Sequence, residues 1–348
     1  MLDELKTASD GKKIALVFPG QASQYVGMGK EFYEKYPVAK ETFDKANEIL
    51  GYDIKKIIFE GPLEQLTQTK YTQPAVFVTS VACFKVLNSK FPILPVQSLS
   101  SAVLLDYPLM GLPWVISSIS FTAGHSLGEY SALVASEVLS YEDALKLVNS
   151  RANFIQSACE KTKGTMMAIL GAEKNEVSEI CAEASNIGVC QAVNFNAPGQ
   201  IVISGEIAAI EKAKELAKTK KIKVIPLAVS GAFHSSLMKE AAEKMKEELK
   251  KYAGAFKNPK FPVVANCDAE ITTDGSKIPE KLVKQIASPV LWVDSINKII
   301  SNSCKIFIEL GPKNIVSGMI KKIQPSAKTF NIENEATLNT TLEALKNV

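Results

Sequence analysis

Three residue types are scarce enough in this chain, or spaced tightly enough, to suggest chemistry. Histidine occurs twice, at His125 and His234, and Arg151 is the one arginine among 40 basic residues. Ser126 lies in Gly124-His125-Ser126-Leu127-Gly128, a G-x-S-x-G run between strand-like "ISSISF" and an amphipathic helical stretch. Strand, tight turn and helix form the setting of a nucleophile elbow, in which the glycines let the backbone turn sharply and lift the serine above a sheet. The N–H of Leu127 would then face the oxyanion formed when Ser126 attacks a carbonyl, aided by the helix N-terminus. The chemistry implied is acyl transfer or hydrolysis through a serine ester, against a plain structural turn.

A serine nucleophile needs a base. His125 adjoins the serine in the turn, so its side chain should point elsewhere, as a packing or backbone-bonded residue. His234, in "VSGAFHSS", lies between a strand and a helix, where a side chain can reach a cleft. The competing reading is an ordinary hydrogen-bonded histidine in a helix's first turn. Asp143 is the only aspartate between Ser126 and His234, and "YEDALKLV" puts it in or at the start of a helix. An ordinary α/β-hydrolase keeps its acid in that interval and its histidine near the end of the chain. That pattern fits poorly here, and a backbone carbonyl is an alternative that suffices to fix the imidazole tautomer.

The elements that must position these residues follow from periodicity. "KKIALVFPG" reads as a strand running through a glycine-bearing loop to a helix, the step of an α/β domain. Helices follow at "PVAKETFDKANEIL" and "TQPAVFVTSVACFKVLNS". From Met166 to Val229 the order becomes β-α-β-β-α-β, the ferredoxin-like unit, inserted into the larger domain. The chain returns through the helix "SSLMKEAAEKMKEELKKY", strand-like "KFPVVANC", "PVLWVDSINKIIS" and strand-like "KIFIELGP". The expected fold class is therefore α/β: a hydrolase-like core with a mostly parallel sheet, from residues 1–163 and 232–348, carrying a ferredoxin-like subdomain at 164–231. An atypical apolar segment occupies about 91–120. Its prolines and Gly111 interrupt any clean membrane-spanning run, so it reads as an irregular insert.

Composition excludes other classes. The 348 residues have 46% hydrophobic and 22% charged side chains, as in an ordinary globular protein, and the net charge of +3 is too small for a nucleic-acid binder. The six cysteines form no CxxC pair and no metal-ligand spacing with the histidines, so no metal site is expected. They read as reduced core thiols in a reducing compartment. With no apolar signal segment near the first residue, the expected location is a bacterial-type cytoplasm, or a plastid-like organelle if a transit peptide has been removed. Lysine runs such as "KAKELAKTKKIK" read as a solvated helix face, with a docking patch for an acidic partner as the second reading.

The ordered motifs resemble malonyl-CoA:acyl-carrier-protein transacylases over nearly the whole chain. "VFPGQASQ" looks like that family's F-P-G-Q-G-S-Q loop, with Ala22 in place of the middle glycine. "GHSLGEYSAL", "NFNAPGQIVISG", "GAFHS", "QIASPVLW" and "IELGP" resemble the elbow, small-subdomain, histidine, Q-x-x-x-P-V-x-W and last-strand segments. The resemblance implies a groove between core and subdomain, with Ser126 as nucleophile and His234 as base and then acid. It implies an oxyanion hole from the N–H groups of Gln21 and Leu127, and a main-chain carbonyl near Gln285 orienting His234. Gln285 as a polar helix residue is the alternative. Asn194 would line the cleft or cap a turn, and the turn is the expectation.

The family also places an arginine about one helix beyond the elbow, where Arg151 stands. A guanidinium can hold malonate's free carboxylate bidentately, fixing orientation as well as charge, which a lysine ammonium cannot. A surface helix residue is the competing reading for Arg151. Phe233, before the histidine, should fill the space that an α-methyl substituent would need. What the resemblance implies is ping-pong transfer of malonyl from malonyl-CoA to the phosphopantetheine thiol of an acyl carrier protein. Both thioesters would be substrates, and no bound cofactor, nucleic acid or membrane partner is expected. Acidic carrier proteins would give the lysine runs a role in steering encounter. Two other readings remain: a homologue that binds carrier protein or coenzyme A without transfer, and a serine esterase with no need of Arg151.

Overall fold

A computed structural model describes residues 13–91, 119–229 and 231–346. Most of the apolar segment at about 91–120 therefore lies outside the described residues.

Strand β1 (Ile14–Phe18) is apolar and buried at every position, as expected of a parallel strand covered on both faces. It pairs on one side with β2 (Ile119–Gly124) and on the other with β9 (Ile306–Leu310). The sheet continues to β10 (Lys328–Ile332) and, at the other end, to β7 (Val263–Val264) and β8 (Ile271–Thr272). The strand order is β10-β9-β1-β2-β7-β8. Five of these strands run parallel and β8 closes the edge antiparallel. Helices α1 (Thr69–Lys90), α2 (Gly128–Ala135) and α3 (Tyr141–Lys161) contribute to the core on one face of this sheet.

The second sheet has the order β4-β5-β3-β6, all antiparallel: β3 (Gly164–Leu170), β4 (Cys190–Ala197), β5 (Gln200–Glu206) and β6 (Lys223–Pro226). Its two faces follow the strand period of two. Met167 and Ile169 pack with helices Lys174–Ala184 and Ile207–Thr219, through Val177, Ile180, Ile210 and Ala213. Met166 and Ala168 point the other way and pack with Val193 and Val202. Strand β4 is tied to the core segment at Val290, where Val290 N–H donates to the Val193 carbonyl (2.7 Å) and Phe195 N–H to that of Val290 (3.0 Å).

Two strands are shorter than their apolar runs predict. In "KFPVVANC" only Val263–Val264 pair as a strand. Pro262 has no N–H to donate, and the Asn266 side chain turns to the elbow instead. In "IKVIPLAV" pairing stops at Pro226, on an edge strand bonded from one side only. The lysine-rich helix Ile207–Thr219 buries Ala209, Ile210, Ala213 and Ala217 and carries its lysines outward. Lys214 pairs with Glu211 (2.8 Å), and Lys220, at the helix end, with Glu179 (2.9 Å). All six cysteines are free thiols, five of them buried. Among the described residues no helix is long and apolar enough to cross a membrane, and no cluster of side chains has the makeup of a metal site.

Candidate active site

The carboxyl ends of β1, β2, β7 and β9 converge, and at such ends parallel α/β sheets place their ligands. Strand β2 hands over to helix α2 through the elbow, and both glycines are required by close approach. A Cβ on Gly124 would lie 1.9 Å from the Gly128 carbonyl carbon, and one on Gly128 would lie 2.2 Å from the Phe18 carbonyl oxygen. Ser126 takes a left-handed backbone conformation, φ +52°. For a residue with a Cβ this costs about 1–2 kcal/mol, so neighbours must hold it. They do so from both sides: Ser126 N–H donates to Asn266 Oδ1 (2.6 Å), and Gln285 Nε2–H donates to the Ser126 carbonyl (2.9 Å). Asn266 Nδ2–H also donates to the Gly124 carbonyl (2.7 Å).

His234 lies 2.8 Å from Ser126, Nε2 to Oγ. It too has a left-handed backbone, φ +61°. Its Nδ1 lies 2.8 Å from the main-chain oxygen of Gln285. A carbonyl oxygen only accepts, so the proton sits on Nδ1 and the Nε2 lone pair receives the serine hydroxyl. Burial, followed by the nearby Arg151 guanidinium, pushes the imidazole down to about 3, so it is neutral in the free protein. Asp143 takes no part. It sits in the first turn of α3, its N–H donating to the capping Ser140 hydroxyl (3.0 Å), which donates back to its carboxylate (2.7 Å).

Arg151 projects from the buried face of α3 and is 1% exposed. Its Nη2 donates to Ser126 Oγ (3.2 Å) and to Gln285 Oε1 (3.0 Å), and its Nη1 donates to Gln73 Oε1 on α1. The guanidinium also lies over the Tyr130 ring, 5.8 Å from its centroid. A surface role is thereby excluded. Burying a charge is costly unless it is partnered, and here three neutral oxygens partner it without neutralising it.

Residues of the small sheet, and of the loops and helices that follow the strands of the large one, line one cleft of about 300 Å³, among them Gln21, Ser126, Arg151, Asn194, Phe233 and His234. The loop carrying Gln21 is pressed onto the elbow: a Cβ on Gly20 would come within 2.5 Å of the His125 carbonyl oxygen. Leu127 immediately precedes α2, so its N–H belongs to the set that no carbonyl four residues earlier claims. Asn194 departs from its expected place in a turn. It lies in β4, 8% exposed, and its Oδ1 has no hydrogen-bond partner. His125 does point away from the hydroxyl, but its Nε2–H donates to the Asn196 side chain (2.8 Å), not to backbone, while its ring edges onto Trp292.

Sequence reading missed Asn266, Gln73 and Asn196. Asn266 had one signal, its place two residues after a strand of the parallel sheet, and Asn196 had its place in "NFNAPGQIVISG"; Gln73 is an amide with no local pattern. The assembled site can form and break a serine ester: a hydroxyl bonded to a neutral imidazole, N–H groups beside it, and a fixed cation at the serine oxygen. This defines the nucleophile-elbow class of acyl-transfer proteins.

Comparison narrows the class. The acyl transferase domain model matches residues 15–92 and 120–339, leaving out the apolar stretch between them. A malonyl CoA-acyl carrier protein transacylase of Bacillus subtilis is 43% identical over 336 residues, 96% of this chain and 98% of that protein. The crystal structure of the Clostridium perfringens malonyl CoA-acyl carrier protein transacylase superposes with a TM-score of 0.84 at 37% identity, covering 96% of this chain and 98% of that one. A malonyl-transacylase in complex with a type II PKS acyl-carrier protein gives 0.85 at 35% identity, covering 95% and 99%. The chain belongs to the acyl transferase family and, within it, to the malonyl CoA-acyl carrier protein transacylases.

Proposed function

We propose that the chain moves a malonyl group from malonyl-CoA to the phosphopantetheine thiol of an acyl carrier protein, supplying fatty acid synthesis. The roles assigned are Ser126 as nucleophile, His234 as base and then acid, and Arg151 as receptor of the malonyl carboxylate. The N–H groups of Gln21 and Leu127 serve as the oxyanion hole. Gln285 orients both His234 and Arg151, Phe233 limits the α-substituent, and Asn194 contributes an acceptor to the cleft wall.

In the first half-reaction Ser126 Oγ bonds to the thioester carbonyl carbon as its proton passes to His234 Nε2. The C–S bond breaks, and coenzyme A leaves with that proton. In the second, the carrier thiol gives its proton to His234, its sulfur bonds to the acyl carbon, and the ester bond breaks to restore the Ser126 hydroxyl. Coenzyme A and phosphopantetheine enter as substrates. The expected compartment is a bacterial-type cytoplasm; reduced cysteines and bacterial relatives support it.

The observation that carries this reading is Arg151: a buried cation 3.2 Å from the nucleophilic oxygen, hydrogen-bonded to two glutamines and the serine and to no carboxylate, with the buried Glu129 favouring its charge without bonding it. An esterase for neutral esters has no use for it. The test is acid-quenched labelling with radiolabelled malonyl-CoA, with Ser126→Ala, Arg151→Ala and acetyl-CoA as controls. Label on the unaltered protein, absent from the serine variant and strongly favouring malonyl over acetyl, is the expected result. Folded protein that takes no label, or takes both acyl groups equally, would sink the reading.

A further inference from the structure

Glu129 lies in the first turn of α2, three residues after the nucleophile and 2% exposed. Its position would suit a carboxylate at a helix N-terminus, but its side chain makes other bonds. Oε2 accepts the main-chain N–H of Asn266 (3.0 Å) and the side-chain Nε2–H of Gln285 (2.7 Å). These are the two residues that hold Ser126 in its left-handed conformation, one through the serine N–H and one through its carbonyl. Gln285 in addition bonds Arg151 through Oε1 and His234 through its main-chain oxygen.

Three active groups thus trace back to one carboxylate oxygen. Asn266 and Gln285 lie 137 and 156 residues along the chain from Glu129, and among the bonds described Glu129 is, besides Ser126 itself, the group that both of them bond. Burial makes that carboxylate expensive, pushing it up to about 7 despite the two donors. An apolar side chain would fill the same volume without that penalty, so packing alone does not account for an acid here. What an apolar side chain lacks is an acceptor for the two N–H groups.

We propose that Glu129 is a positioning residue of the transfer reaction: by bonding Asn266 and Gln285 together it sets the Ser126 backbone and keeps Arg151 aimed at the serine oxygen. It touches no substrate and acts through those two amides. The proposal rests on the function given above for its Arg151 part only, because the serine geometry can be read with a probe that needs no malonyl group.

The experiment compares Glu129→Leu, Glu129→Asp and Glu129→Gln with the unaltered protein, using thermal unfolding to score the fold. One readout is the rate at which Ser126 is phosphonylated by a fluorophosphonate, a step that forms the Oγ–P bond, expels fluoride and passes the hydroxyl proton to His234. The other is the ratio of malonyl to acetyl labelling from the two coenzyme A thioesters. Leu removes the acceptor and Asp withdraws it by one methylene, so each should slow phosphonylation at least tenfold and cut the ratio at least tenfold. Gln keeps an oxygen for both N–H groups and should remain within about threefold in both. Folded Leu protein with both readouts unchanged would overturn the proposal, as would equal losses in Leu and Gln. If the Leu variant fails to fold, the Asp variant decides: unaltered rate and ratio there would overturn it equally. Unaltered protein that reacts with the phosphonate yet takes no malonyl counts against the proposed function and leaves the serine-positioning role intact.

Discussion

His234 Nδ1–H donates a hydrogen bond to the main-chain oxygen of Gln285 at 2.8 Å, so the group behind the base is a carbonyl and not a carboxylate. The imidazole gains a fixed tautomer and orientation but no adjacent negative charge. The lone aspartate of the interval, Asp143, is engaged at a helix cap instead. Asp143→Asn should therefore leave the rate of malonyl labelling within about twofold. Its one effect should be a stability loss of about 0.5 kcal/mol, from weaker charge at the helix N-terminus. A hundredfold drop in labelling by folded Asp143→Asn protein would restore an acid to the mechanism.

Arg151 combines a charge with three directed bonds, to Ser126, Gln285 and Gln73. Arg151→Lys keeps the charge and loses the planar fork, so malonyl transfer should fall by about 10- to 100-fold, or roughly 1.4–3 kcal/mol. Acetyl transfer should fall far less. Kinetics with the two thioesters side by side check this, and equal losses would make the arginine a structural residue.

Phe233 is half-buried beside Val193, Val202 and Met166 on the cleft side of the small sheet. Phe233→Ala should raise the use of methylmalonyl-CoA relative to malonyl-CoA by about 10-fold, since the discrimination due to one methyl group is roughly 1–3 kcal/mol. The ratio of labelling from the two thioesters measures it; an unchanged ratio would move the selectivity elsewhere in the cleft.

Ala22 occupies a left-handed conformation, φ +76°, where the family's loop carries glycine. Ala22→Gly removes a strain of about 1–2 kcal/mol and adds unfolded-chain entropy of about 0.4–1 kcal/mol. The balance is a gain of about 0 to 1.6 kcal/mol, with a midpoint of ~0.8 kcal/mol, read as a higher unfolding temperature. A lower one would show that the alanine methyl makes a contact worth more than the strain.

Glu309 at the end of β9 accepts the N–H groups of Val316 (3.0 Å) and Ser317 (2.7 Å) at the start of helix Ile315–Ile323, yet burial raises it from 4.5 to about 7. Its folded value lies above its unfolded one, so its stabilising contribution is complete below pH 4.5 and is lost as pH rises through 7. Glu309→Gln carries no proton to lose. The stability of the variant relative to the unaltered protein should therefore rise between pH 4.5 and about 8, as followed by denaturant unfolding at several pH values. A relative stability independent of pH would mean that Glu309 is not perturbed.

Local signals in the chain were sufficient for the elements and for most of the site. The five apolar residues of β1, the apolar run "MMAIL" of β3 and the glycine pair around Ser126 each state a requirement that one segment meets by itself. With only two histidines and one arginine in the chain, and His125 placed in the turn itself, composition points to His234 and Arg151. Misreadings came where a neighbour far along the chain decides. Asn194 reads as a turn residue until β4 is bridged to Val290, and the strand-like run at 260–267 pairs over two residues only, because Asn266 bonds the elbow.

What the sequence determined, then, was which residue types were available and which local shapes they favoured: an elbow, a scarce base, a scarce guanidinium. What the tertiary structure alone decided was their joint geometry. The Ser126–His234 and Arg151–Ser126 contacts, and the amide network of Asn266, Gln285 and Gln73, join residues that periodicity cannot relate. The physical reason is that a hydrogen bond between distant segments depends on direction and distance to a few tenths of an ångström. That precision arises only when the two sheets and their helices have packed.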